Sequence, residues 1–81
     1  MIIYATTWCP YCRSLLSALK KTDMRYEVVD VEARGNEDAA AWVESVNGGN
    51  RVVPTVRYDD GTHDTNPPFA QVKAKYEELN G

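Results

Sequence analysis

The sequence predicts an α/β fold in which a four-stranded mixed sheet carries three helices on both faces, in the order β-α-β-α-β-β-α. Three observations carry this. Short runs rich in β-branched residues alternate with segments whose apolar residues recur every three or four positions. The last two such runs are joined by Asp59-Asp60-Gly61, a hairpin turn. A length of 81 residues leaves room for one small core, so residues 1–81 read as a single domain.

Met1 to Ala5 is apolar and partly β-branched, which predicts a short buried strand. Pro10 suits the first turn of a helix, where a missing N–H costs nothing, and Leu15, Leu16 and Leu19 extend helical spacing to about Lys21. Tyr26 to Val31 is the second strand candidate. Asn36 is placed to cap the next helix, with Glu37 and Asp38 in its first turn and Ala39, Ala40, Trp42, Val43 and Val46 on its apolar face. Asn47-Gly48-Gly49 ends that helix. Val52 to Val56 is the third strand region, with Pro54 at its beginning or in a bend because proline cannot donate to a ladder. Thr62 to Thr65 is its antiparallel partner. Asn66 is read as the cap of the last helix and Pro67 as its first residue, with Phe69, Val72, Tyr76 and Leu79 as its apolar stripe.

A composition of 43% hydrophobic and 26% charged residues is that of a folded chain rather than a disordered one. The net charge of −3 argues against a nucleic-acid binder working through a basic surface, and against an arm for anionic lipid. No apolar run approaches the roughly 18 residues of a membrane span. Met1-Ile2-Ile3-Tyr4-Ala5 lacks the basic region of a signal peptide, so a cytoplasmic location is expected.

Cys9 and Cys12 are the only cysteines. A bridge between them closes a tiny loop and so contributes little as a staple; the pair is better explained by chemistry. A C-x-x-C beside a β-α-β pattern is the mark of a thioredoxin-like architecture. Cys9 then falls at the N-terminus of the helix carrying Cys12, where unpaired N–H groups and the helix dipole favour a thiolate. Cys12, one turn on, is expected to be more buried and less ionised. Cys9 therefore attacks a substrate disulfide, and the resulting mixed disulfide is released by a second small thiol or by Cys12. This chemistry needs Cys9 to be open to solvent.

Two other uses of the pair compete with it. A zinc site wants four ligands, and His63 is the only further good candidate, so no metal is assigned. An iron–sulfur cluster shared between two chains through Cys9 would use thiolate without turnover. Colour in protein purified without oxygen separates that case from the rest.

Tyr4-Ala5-Thr6-Thr7-Trp8-Cys9-Pro10-Tyr11-Cys12 resembles the active-site strand and loop of glutaredoxins, whose usual tetrad is C-P-Y-C. The run from Ser45 through Asn47-Gly48-Gly49-Asn50-Arg51-Val52-Val53-Pro54-Thr55-Val56 looks more specifically like the mycoredoxins, the actinobacterial glutaredoxin-like proteins, as do Asp60-Gly61-Thr62 and Thr65-Asn66-Pro67. The resemblance covers nearly the whole chain. It implies reduction of mixed disulfides between proteins and mycothiol, with mycothiol as thiol co-substrate and no bound cofactor. Cys9 would be the nucleophile of a monothiol cycle and Cys12 a resolving or backup thiol. Pro54 matches the family's cis-proline, and the Val53 backbone would pair with the backbone of the substrate cysteine.

The alternative co-substrate is glutathione, or direct reduction by thioredoxin reductase as in small donors to ribonucleotide reductase, whose tetrad and C-terminus differ. Glutaredoxins commonly carry a lysine shortly before the first cysteine, where Thr6 and Thr7 stand here. They also carry a glycine-rich turn for a glutathione carboxylate, where Asp64-Thr65-Asn66-Pro67 stands. Neutral Thr65 and Asn66 suit a hydroxyl-rich sugar better than an anion. Arg51 occurs in both groups and does not discriminate. Trp8 either lines the substrate groove or packs locally, and Tyr11 either rests on the bound thiol or is simply exposed. Trp42 is read as core, Asp30 as a strand-end acid rather than a proton relay, and His63 as solvated. Glu32, Glu37, Asp38 and Glu44 are read as a solvated helix face and its approach. The chain is expected to act as a monomer on mycothiolated or disulfide-containing proteins.

Overall fold

Residues 1–80 are described by a computed structural model. The chain runs β1 (Ile2–Ala5), α1 (Pro10–Leu19), β2 (Glu27–Asp30), α2 (Glu37–Val46), β3 (Thr55–Arg57), β4 (His63–Thr65) and α3 (Phe69–Asn80). The sheet order is β2-β1-β3-β4. β1 pairs in parallel with β2, Ile3 opposite Val28, and antiparallel with β3, Ile3 opposite Val56. The hairpin supplies β4 as the second antiparallel step. This is the thioredoxin-like arrangement the sequence predicts.

The period-two alternation of β1 divides the core. Ile3 points to one face and joins Leu15 and Leu19 of α1, Val56 and Tyr58, and Val72 of α3. Tyr4 points to the other and joins Val31, Ala40 and Val43 beneath α2. Trp42 is half-buried there, its ring 4.9 Å from that of Tyr4, with the Arg57 guanidinium 4.9 Å from its centre. His63 is not solvated as expected. It lies half-buried with its ring edge-on to Trp42 at 5.9 Å.

Several boundaries move for identifiable reasons. β2 is an edge strand shorter than the Tyr26–Val31 run, and Val28 stays 46% exposed. Asn36 occupies the cap position of α2 but does not cap with its side chain; its Nδ2 donates instead to the Asp30 carbonyl at 2.8 Å. Asn66 does not open α3. It adopts the left-handed region, φ 48°, and its N–H donates to the Pro54 carbonyl at 2.7 Å. The helix starts two residues beyond Pro67, with Gln71 and Val72 N–H groups on the Pro68 carbonyl. Of the predicted α3 stripe only Val72 is fully buried. No helix is long and apolar enough to cross a membrane among the described residues.

Candidate active site

The C-terminal ends of β1 and β2 converge on the loop that carries the cysteines. Val31 N–H donates to the Ala5 carbonyl at 3.1 Å, which keeps the two strand ends together. Cys9 is extended, φ −79° and ψ 117°, and caps α1, which then begins at Pro10. The cap is made by sulfur. Cys12 N–H donates to Cys9 Sγ at 3.2 Å, one of the orphan donors of a helix start.

The second wall comes from the segment between α2 and β3. Asn47, the last residue of the α2 turn, donates through Nδ2 to the Val43 carbonyl at 2.8 Å and to Thr55 Oγ1 at 3.2 Å. Its Oδ1 accepts the Thr65 hydroxyl. One amide thus clamps the end of α2 to both hairpin strands and fixes the chain that leads into Val53 and Pro54. The Val53–Pro54 peptide is cis. Cys9 Sγ donates to the Val53 carbonyl at 3.7 Å, and Val53 packs against the buried cluster of Ala5, Cys9 and Cys12.

The two sulfurs differ, though less in exposure than predicted. Cys12 is fully buried, and burial, followed by its hydrogen bond with Cys9, pushes its thiol up to about 12. It stays protonated near neutrality. Cys9 is only 3% exposed, which corrects the expectation of an open sulfur. The reason is local: the resting thiol turns inward to donate to Val53. Attack by this sulfur would require that contact to break, and a thiol–carbonyl bond is worth under about 1 kcal/mol.

The flanking residues fall into two groups. Trp8 and Tyr11 are 62% and 67% exposed and stand on either side of Cys9 in the chain. Tyr11 lines a groove of about 330 Å³ together with Ser14, Asn66, Pro67 and Phe69. Trp8 is not merely packed: its Nε1–H donates to Glu32 Oε1 at 2.7 Å. Thr65 lies near this end, but its hydroxyl is engaged by Asn47. Arg51 lines a separate groove of about 720 Å³ and pairs with Glu44, Nε at 3.1 Å and a terminal nitrogen at 2.9 Å from one oxygen. Asp30 accepts the Glu32 N–H at 2.9 Å, as befits a strand-end acid. Among the described residues no three of His, Cys, Asp and Glu gather as metal ligands.

Sequence reasoning missed Asn47 and Glu32. In the sequence Asn47 reads as part of a helix-ending Asn-Gly-Gly, and its eight-residue reach to Thr55 has no local pattern. Glu32 meets a partner 24 residues away.

The glutaredoxin family model matches residues 1–63. Mycoredoxin 1 of Corynebacterium glutamicum is 60% identical over 77 residues, covering 95% of this chain and 92% of that protein. The "Putative glutaredoxin Rv3198A" of Mycobacterium tuberculosis is 48% identical over 81 residues, covering all of this chain and 94% of that protein. A glutaredoxin of Ricinus communis is 36% identical over 58 residues, 69% of this chain and 55% of the plant protein.

Proposed function

Because the chain belongs to the glutaredoxin family and is a thiol–disulfide oxidoreductase, we propose that it reduces mixed disulfides between proteins and mycothiol through Cys9 in a monothiol cycle. One observation carries the reading: the inequality of the two sulfurs. Cys9 Sγ accepts an N–H at the start of α1, a bond that strengthens when the sulfur is an anion. Cys12 is held as a thiol by burial.

The cycle balances with thiols alone. The Cys9 thiolate attacks the mycothiol sulfur of the protein mixed disulfide, forming an S–S bond as the protein–mycothiol bond breaks. The protein thiolate leaves and takes a proton from water. A second mycothiol, as thiolate, attacks the mycothiol sulfur now bonded to Cys9, and mycothiol disulfide departs with the Cys9 thiolate restored. Cys12 is the backup, closing an intramolecular disulfide when no small thiol arrives. In this reading Val53 and Pro54 form the docking edge for the substrate cysteine, and Tyr11, Asn66 and the Thr65 backbone face the small thiol.

Mycothiol is favoured over glutathione on charge. Glutathione brings two carboxylates that need cations or N–H donors. Arg51, the cation closest to Val53 in sequence, is already paired with Glu44. Thr6 and Thr7 occupy the lysine's region, and Thr6 is buried. The name of the Corynebacterium relative points the same way.

The test is to reduce one protein–mycothiol mixed disulfide with mycothiol, glutathione or thioredoxin reductase as sole electron source. Mycothiol is expected to support the fastest turnover. Turnover driven by the reductase alone would overturn the proposal.

A further inference from the structure

Trp8 leaves most of an indole in water directly before the nucleophile, where burial does nothing to hold it. One hydrogen bond nevertheless orients the ring. The 2.7 Å bond to Glu32 Oε1 has the length of a charge-assisted hydrogen bond. Its acceptor is delivered by a braced turn: Glu32 N–H donates to Asp30 Oδ1 at 2.9 Å, and the Asp30 carbonyl receives Ala33 N–H at 3.2 Å and Asn36 Nδ2 at 2.8 Å.

A bond between two exposed groups contributes little to stability. What it supplies is orientation. Beyond it opens the larger groove, about 720 Å³, with Glu32, Arg34, Glu37 and Arg51 among its walls. Glu32 ties that groove to the cysteine loop, since it lines the groove and holds Trp8, the residue directly before Cys9. The smaller groove lies on the Tyr11 and Asn66 flank. A protein mixed disulfide has two halves of unequal size. The larger groove, with the Arg34 guanidinium and the Glu37 carboxylate in its walls beside the paired Arg51 and Glu44, offers partners of both signs to the amides and charged side chains of a polypeptide.

We propose that Glu32 is a positioning residue for the polypeptide half of the substrate, holding Trp8 as the wall over which the target chain enters the larger groove. The proposal rests on the reading of Cys9 as the nucleophile for protein mixed disulfides. Its test compares a peptide–mycothiol mixed disulfide with the mixed disulfide of mycothiol and 2-mercaptoethanol. Glu32→Ala raises KM for the peptide substrate about fivefold, with kcat changing less, and lowers the peptide-to-small ratio of kcat/KM by about the same factor. Trp8→Phe keeps a ring without the donor, and the double variant is no worse than either single one. Glu32→Gln retains an acceptor oxygen and recovers most of the KM. Equal losses on both substrates, or single losses that add in the double variant, overturn the proposal. Wild-type protein inactive on both substrates overturns the functional reading itself, and this proposal with it.

Discussion

The two ends of the sheet are held by different means. At the hairpin end, Tyr58 is buried and its hydroxyl donates to Asp64 Oδ2 at 2.7 Å. The N-terminal ammonium meets Asp59 Oδ1 at 2.6 Å, and Lys75 reaches Asp60 at 3.3 Å. At the cysteine end the Asn47 side chain clamps α2 to both hairpin strands, while the Cys9 sulfur is held by a thiol on a carbonyl at 3.7 Å and an amide on sulfur at 3.2 Å, between two aromatics left in water. The first set joins oxygen and nitrogen partners with no reason to part. The second includes sulfur contacts that turnover through Cys9, as proposed, would rearrange. The weak contacts thus gather at one end of the sheet, around the candidate nucleophile.

That division is sharpest at Cys9. On the proposed monothiol cycle, Cys9→Ser is expected to abolish turnover in a mixed-disulfide assay and Cys12→Ser to retain it. Serine is a preferred helix cap, so Cys9→Ser unfolds in urea within about 0.5 kcal/mol of the parent, or slightly later. A large loss of stability in Cys9→Ser would break the comparison.

Alkaline titration gives the next largest effect, and it links the two ends. Burial raises the Cys12 thiol from 9.0 to about 12. Burial, and then the hydrogen bond to Asp64, raises the Tyr58 phenol well beyond its ordinary value of 10.0. Both groups keep their proton longer when folded than when unfolded. Their stabilisation is therefore complete below about pH 9 and declines above it, by at most about 1.4 kcal/mol per pH unit for each group. Urea melts between pH 8 and 11 are expected to show this fall. Cys12→Ser removes the portion that starts near pH 9, and Tyr58→Phe the portion that starts near pH 10.

At neutral pH, Tyr58→Phe costs about 1–2 kcal/mol by leaving the half-buried Asp64 without its donor. Its kcat/KM in the folded state matches the parent. The smallest effect belongs to Asp60→Asn. The Thr62 hydroxyl and N–H, and then Lys75, hold the Asp60 carboxyl below its usual value. This contribution is present above the carboxylate's unfolded value and is lost as pH falls through the folded one. The carboxylate is open to solvent, so the shift in urea midpoint is smaller than for Tyr58→Phe, with no change in turnover.

The order of elements was legible because it depends on local patterns: β-branched runs, leucine spacing, a hairpin turn and Pro10 at a helix start. The cysteine pair was legible for the same reason. What escaped were side chains that answer to distant partners. Asn36 and Asn66 are both residue types that cap helices, yet the Asn36 side chain goes to the Asp30 carbonyl and the Asn66 backbone N–H to the Pro54 carbonyl. Glu32 has the character of a solvated acid until Trp8 is brought to it. The inward turn of Cys9 depends on Val53, 44 residues on, and no spacing rule reaches that far.

The sulfur cap of α1 also gives the protein a gauge of its own state. A sulfur within a disulfide is neutral and accepts hydrogen bonds poorly, so on the proposed cycle the Cys12 amide would loosen while Cys9 carried a small thiol and tighten again once that cargo departed. Deuterium uptake at this one backbone position would then rise and fall with occupancy, reporting each stage of turnover without an added label.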